Sequence, residues 1–274
     1  MGLNIQTETN LCENETMNEN FLFEMITADV GQLTLSQPKR RNALNAAMWR
    51  DLPACLETIK MTTGLKALII KGDGEHFSAG ADISEFETLY ATPESAAQIS
   101  CHIADAMSAL ADFPCPTLAM IRGVCVGGGC ALALCCDIRF ADTTAKFAVT
   151  PARLGLVYPF NDIARLIETV GLPNAKDMVL STRLIKNDDA KEMGLINFSV
   201  SSEELKKAVM DYATAQTALS SESLKVMKQM FKTYQSGVRS DTQQTVDWFN
   251  SGFISDDFKE GFTAFMEKRK PNFK

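Results

Sequence analysis

Two short loops near the middle of the chain constrain it more than any other feature. The first is His76-Phe77-Ser78-Ala79-Gly80-Ala81-Asp82, the second Gly123-Val124-Cys125-Val126-Gly127-Gly128-Gly129-Cys130. Each follows an apolar run with strand character, over residues 67–70 and 117–121, and each leads into a helical pattern. Two such junctions bring free backbone N–H groups to one edge of a sheet. Donors that converge on one point are what a developing oxyanion needs. The second loop does not read G-x-G-x-x-G, lies mid-chain, and is not followed by Lys-Ser/Thr, so it is neither a dinucleotide nor a phosphate-cradling loop. Three consecutive glycines before a helix read either as a flexible turn or as close backbone approach by a ligand, which the helix dipole would favour if it were anionic.

The flanking pattern sets the fold class. Residues 1–20 are polar and aperiodic and read as a disordered or variable extension. Strands are expected over 21–26 and 31–35, and a helix where Leu44, Met48, Leu52, Leu56 and Ile59 recur. The strand at 67–70 comes next, then a helix carrying Ile99, Ile103, Ala106 and Leu110, then the strand at 117–121. A helix from Cys130 and strands over 136–141 and 146–149 complete the core. Strands alternating with helices imply an α/β fold with a largely parallel, covered sheet and right-handed crossovers. The core is expected over 21–200 and a helical region over 201–274. Three stripes mark that region: Leu205, Val209, Tyr212; Leu224, Met227, Phe231, Tyr234; and Phe258, Phe262, Phe265, Met266. The last is read as core packing, with a subunit interface as the alternative.

Composition narrows the partners. A net charge of −7 argues against nucleic acid as the main partner, since phosphate backbones need a basic face. No apolar run is long enough to span a membrane, and no secretory signal opens the chain. The eight cysteines lack metal-site spacing, and Cys125, Cys130, Cys135 and Cys136 sit in or beside apolar segments. We read them as reduced thiols of a cytoplasmic protein.

Several motifs in order carry a family resemblance. They are Gln37-Pro38-Lys39-Arg40-Arg41-Asn42-Ala43-Leu44-Asn45, the 77–82 loop, the 123–137 segment, Leu154-Gly155-Leu156-Val157, and a closing Asp257-Phe258-Lys259-Glu260-Gly261 followed by Lys268-Arg269-Lys270-Pro271. Together they resemble the crotonase superfamily, the enoyl-CoA hydratase/isomerase group, from about residue 22 to 274. The resemblance implies a crotonase-like ββα spiral core with a helical C-terminal region, and trimers or paired trimers. It implies an acyl-CoA substrate with no separate cofactor, CoA being part of the substrate. The thioester oxygen would lie between the N–H groups of Ala81 and Gly128. Lys39, Arg40 or Arg41 would meet CoA phosphates, Ala79 to Ala81 would approach the adenine, and Lys259 would reach a phosphate, from a neighbouring subunit if not its own. Gly80, Asp82, Ile83, Gly127 and Pro151 complete the expected binding set.

The resemblance also shows what is missing. Hydratases of the family hold water between two glutamates, and the matching positions here are Ala131 and Pro151. Neither side chain can activate water. Isomerases use the second glutamate as a proton shuttle, so both reactions lose their usual acid. The run Thr150-Pro151-Ala152-Arg153-Leu154-Gly155-Leu156-Val157-Tyr158 resembles that of methylmalonyl-CoA decarboxylases, where the Thr and Tyr line the substrate carboxylate. Those enzymes keep an acid at the position of Ala131 and a His at that of Ala81. The expectation is a non-hydratase lyase or isomerase, with decarboxylation of a malonyl-type thioester the sharpest candidate; residual hydratase/isomerase activity and an inactive acyl-CoA binder are the alternatives. Candidate substitute acids are Glu85 and Glu87, otherwise a solvated helix face, and Asp162, otherwise a helix N-cap. His76 is read as an exposed loop residue and His102 as surface or lid.

Overall fold

The computed structural model describes residues 15–273. Its strands are β1 Glu15–Asn18, β2 Phe21–Met25, β3 Val30–Leu35, β4 Ala67–Gly72, β5 Thr117–Ile121, β6 Val124–Val126, β7 Ile138–Asp142, β8 Lys146–Ala148, β9 Ile185–Lys186 and β10 Phe198–Val200. Its helices are α1 Ala46–Lys60, α2 Phe86–Leu89, α3 Pro93–Ala111, α4 Gly128–Cys135, α5 Phe160–Ser181, α6 Asn187–Glu192, α7 Leu205–Thr217, α8 Ser221–Gln235, α9 Gln243–Gly252 and α10 Asp256–Met266.

One sheet runs β1-β2-β3-β4-β5-β7-β10 and a smaller one β6-β8-β9. From β3 through β10 the large sheet is parallel, while β1–β2 and β2–β3 are antiparallel. Alternation along β4 divides the core in two. Leu68 and Ile70 join Leu33 and Leu35 under the apolar faces of α1 and α3. Ala67 and Ile69 join Val30, Leu118 and Phe140 under Leu205, Val209 and Ala213 of α7. Burial on both faces is why these strands are continuous apolar runs, each large side chain contributing roughly 1.5–3 kcal/mol.

Three expectations need correction. The extension read over 1–20 stops earlier, because Glu15–Asn18 pairs with β2; the rest of it, residues 1–14, lies outside the described residues. The helix read from Cys130 starts two residues earlier, so Gly128 and Gly129 are its first turn. The third C-terminal stripe is not core. Phe262 is 59% exposed and Phe265 80%, α10 buries only Ala264, and α8 buries no residue fully. The short strands β6, β9 and β10 carry too few residues to show a period. Among the described residues no helix is long and apolar enough to cross a membrane.

Candidate active site

The two glycine loops are laced together through their backbones. Phe77 N–H donates to the Arg122 carbonyl at 2.8 Å, Ser78 N–H to Val124 at 3.0 Å, and Val126 N–H back to Ser78 at 3.1 Å. Beyond this ladder the first loop bridges to Leu44. Leu44 N–H donates to Gly80 at 2.7 Å and Asp82 N–H donates to Leu44 at 2.9 Å. In that parallel bridge the bonds come from the residues flanking Ala81, so the Ala81 N–H points away from Leu44. Gly128 is the first residue of α4, and its N–H has no acceptor within the helix.

Two glycines aim these donors. Gly80 takes φ 89° and Gly127 φ 53°, a region that residues with a Cβ rarely enter. The peptide after each one carries the Ala81 and Gly128 N–H respectively. A Cβ on Gly128 would sit 3.6 Å from the Ala81 nitrogen and 3.1 Å from the Trp49 ring. The two donors therefore face one another across adjoining loops, with Trp49 of α1 beside them. Two such N–H groups can hold an oxygen that gains charge.

Asn42 fixes the first loop from beneath. Its amide donates to the carbonyls of Asp73 at 2.9 Å and His76 at 2.7 Å, while its Oδ1 accepts from Gln37 at 3.0 Å. The Ser78 hydroxyl donates to the Asn42 carbonyl at 2.8 Å. The Asn42 motif thus serves to shape the turn that presents Ala81.

The donors open onto a cavity of about 530 Å³. Trp49, Ile83, Phe86, Ile103, Met107 and Leu156 give it apolar walls. Ala79, Gly80, Ala81, Gly127, Gly128, Thr150, Pro151 and Tyr158, all expected from the sequence, line it as well. The Tyr158 hydroxyl lies 3.5 Å from the Gly127 carbonyl oxygen, and Thr150 lies beside Gly127. Burial pushes the Tyr158 phenol well above its ordinary value, so it is neutral and available as a donor.

Other expected residues stand apart. Asp82 is buried beneath the loop, where its carboxylate caps the Ser84 N–H and pairs with Arg40. Burial pushes the Asp82 carboxyl up, but Ser84 and then Arg40 outweigh it and hold the group below the usual range. Lys39, Arg40 and Arg41 are exposed and do not line the cavity, and the Arg41 carbonyl accepts the Ala79 N–H at 2.9 Å. Lys259 is not brought to the cavity within the chain; it pairs with Asp256 at 2.8 Å. Ala131 is 1% exposed and lies behind the cavity wall rather than on it. Glu85 is not a pocket acid, because its carboxylate accepts the Ala46 N–H at 2.7 Å and caps α1. Glu87 is exposed and does not line the cavity. His76 is half-buried rather than exposed, and its Nδ1 accepts from Val124 at 3.3 Å.

Asp162 is where the structure adds most. It is not the N-cap of α5, which begins at Phe160 behind Pro159. It is 5% exposed, lines the cavity, and pairs with Arg165 at 3.3 Å. Burial raises the Asp162 carboxyl, and Arg165 offsets only part of that. Trp49, Phe86, Met107 and Arg165 are cavity residues that periodicity did not single out, since each sits on a helix whose sequence shows only which face is apolar. No group of three or more His, Cys, Asp or Glu among the described residues is placed to hold a metal ion.

Comparison with known proteins gives this arrangement its context. The family model described as enoyl-CoA hydratase/isomerase matches residues 25–274. The fold is similar to the crystal structure of an enoyl-CoA hydratase/isomerase family protein from Hyphomonas neptunium, with a TM-score of 0.90 at 38% identity, covering 93% of this chain and 97% of that one. A crotonyl-CoA hydratase of Syntrophomonas wolfei is 31% identical over 264 residues, 93% of this chain and 98% of that protein. A 2,3-dehydroadipyl-CoA hydratase of Escherichia coli is 31% identical over 243 residues, 88% and 94% of the two chains. The chain has the crotonase fold, as its motifs implied, and it belongs to the enoyl-CoA hydratase/isomerase family.

Proposed function

We propose that this family member is a lyase or isomerase of acyl-CoA thioesters that works through an enolate and does not hydrate. The thioester oxygen sits between the Ala81 and Gly128 N–H groups, which stabilise it as it becomes an enolate oxygen. The exposed Lys39, Arg40 and Arg41 take the CoA phosphates. The observation that carries the reading is the absence of any glutamate from the cavity lining among the described residues, together with Ala131 and Pro151 at the positions the resemblance matches to the water-flanking glutamates. Without two carboxylates, water has nothing to orient and deprotonate it.

Decarboxylation is the sharper form of this reading, supported by the Thr150 and Tyr158 hydroxyls beside Gly127. It needs no base: the bond to the carboxylate breaks, carbon dioxide leaves, the electron pair of that bond enters the thioester as an enolate whose oxygen is held by the two N–H groups, and the α-carbon then takes a proton from solvent. The test is a panel of crotonyl-, 3-enoyl-, malonyl- and methylmalonyl-CoA with product mass measured. Hydration of crotonyl-CoA as the dominant activity would overturn the proposal, and binding without turnover would make the protein an acyl-CoA carrier. Tyr158→Phe separates the two forms. It slows decarboxylation about ten- to a hundredfold, roughly 1.4–2.7 kcal/mol, and leaves propionyl-CoA affinity unchanged.

The assembly we propose is a homotrimer or a pair of trimers. Support comes from α10, which leaves Phe258, Phe262, Phe265 and Met266 exposed on one chain. Light scattering of the purified protein tests it, with a monomer as the contrary result.

A further inference from the structure

We infer that Asp162 is the proton-transfer residue of this site and takes the place of the absent glutamates from a different element. The inference rests on the enolate reading above. Asp162 is the one carboxylate lining the cavity among the described residues. It stands at the start of α5, seven positions beyond Gly155, rather than on the turn that carries Pro151.

An acid in the first turn of a helix usually has a structural task, and here that task is not performed. The Asp162 carboxylate accepts no backbone N–H among the described residues, so it caps nothing. Its one protein partner is the Arg165 guanidinium on Oδ1, at 3.3 Å. The second oxygen takes no hydrogen bond from any described residue, and Asp162 lines the same cavity as Trp49, Met107 and Tyr158. A carboxylate held in an apolar wall with a single long ion pair costs stability. Such a cost is retained where a group must exchange protons. The groups facing it are few: Arg165 on its own helix, Tyr158 just before that helix, and the Cys135 thiol of α4. Burial pushes the Cys135 thiol up to about 12, so it carries no charge near neutrality.

The step is a 1,3-proton shift on a β,γ-unsaturated thioester with an apolar chain, the kind of chain these walls accept. The α-carbon C–H bond breaks, the proton passes to the Asp162 carboxylate, and the electron pair moves into the thioester carbonyl. The enolate oxygen is held by Ala81 and Gly128. The enolate then collapses, the γ-carbon takes the proton back, and the carboxylate is regenerated. The double bond has moved into conjugation with nothing gained or lost.

The test uses the full-length protein with 3-hexenoyl-CoA in deuterium oxide, following both conjugation and deuterium uptake at the γ-carbon of the product, delivered by an Asp162 carboxyl that exchanges its proton with solvent. Asp162→Asn keeps an acceptor for Arg165 and cannot take the proton. It is expected to lose both signals by about 10²- to 10³-fold, with the thermal shift given by hexanoyl-CoA unchanged. Asp162→Glu restores part of the rate, and its acid limb in the pH–rate profile moves from that of the wild type. Unchanged exchange in Asp162→Asn overturns the assignment while wild-type turnover leaves the enolate reading standing. A wild type that shows neither conjugation nor exchange overturns the assignment, and decarboxylation of malonyl- or methylmalonyl-CoA beside it leaves the enolate reading standing. If Asp162→Asn does not fold, an Asp162→Glu profile that coincides with the wild type's overturns the assignment.

Discussion

Gly80 and Gly128 approach so closely that a Cβ on Gly80 would lie 3.2 Å from the Gly128 nitrogen and 2.7 Å from the Val126 carbonyl oxygen. The two N–H donors are thus set by one contact between loops that are separate in sequence. Gly80→Ala meets backbone on that side and a positive φ as well. It is expected to cost about 1–3 kcal/mol of stability in thermal denaturation. The displaced donor lowers turnover by about 10²–10³. A variant as active and as stable as the wild type would show that this contact does not set the site.

Hydration of crotonyl-CoA is expected to stay well below about 10 s⁻¹, the median for competent enzymes. Ala131→Glu alone does not raise it, because Pro151 still supplies no second acid. The substitution also places a carboxyl in a pocket now filled by a 1% exposed alanine. It should therefore destabilise the fold, with a lowered Tm as the measure.

Acyl-CoA is expected to raise Tm by mass action, since the native state alone binds it. Changing Lys39, Arg40 and Arg41 together to Ala weakens that shift. Arg40→Ala by itself also frees Asp82, whose carboxylate it holds, so its effect should exceed that of Lys39→Ala. Titration of Tm against hexanoyl-CoA for the three proteins checks the order.

Asp162 gives a pH dependence whose sign follows from its raised pKa. Above the folded-state value the group is charged in both states, and the cost of burying that charge is present in full. As pH falls through that value toward the ordinary 3.8, the folded protein takes up a proton before the unfolded chain does, and stability rises. Asp162→Asn lacks this term. Denaturant midpoints measured across that window should show wild type gaining on the variant as pH falls, and a constant difference would contradict the buried carboxyl.

Ser78-Ala79-Gly80-Ala81 and the triple glycine could be read from the chain because backbone chemistry leaves a mark in composition. Glycine enters the positive-φ region of Gly80 and Gly127 far more readily than other residues, so the donors announce themselves. Ala131 and Pro151, at the positions the resemblance matches to the hydratase glutamates, were equally legible, since neither can stand in for an acid whatever surrounds it. Glu85, Glu87 and Asp162 were not separable in the same way. Each is an acid near the start of a helix, and nothing local says which of them caps, which is solvated and which faces the cavity.

The sequence by itself determined the α/β alternation, the two glycine loops and the acid-free character of Ala131 and Pro151, because strand period, helix period and residue chemistry are local properties. Tertiary structure alone decided that the loops lock through Ser78 and Cys125, that Glu85 caps α1, and that Asp162 lines the cavity with Arg165 as its partner. Those outcomes depend on contacts between residues tens of positions apart, and on burial that no single segment can produce. The exposed aromatic stripe of α10 belongs with them: its period marks an apolar face, and only the packed chain shows that its own core does not cover it.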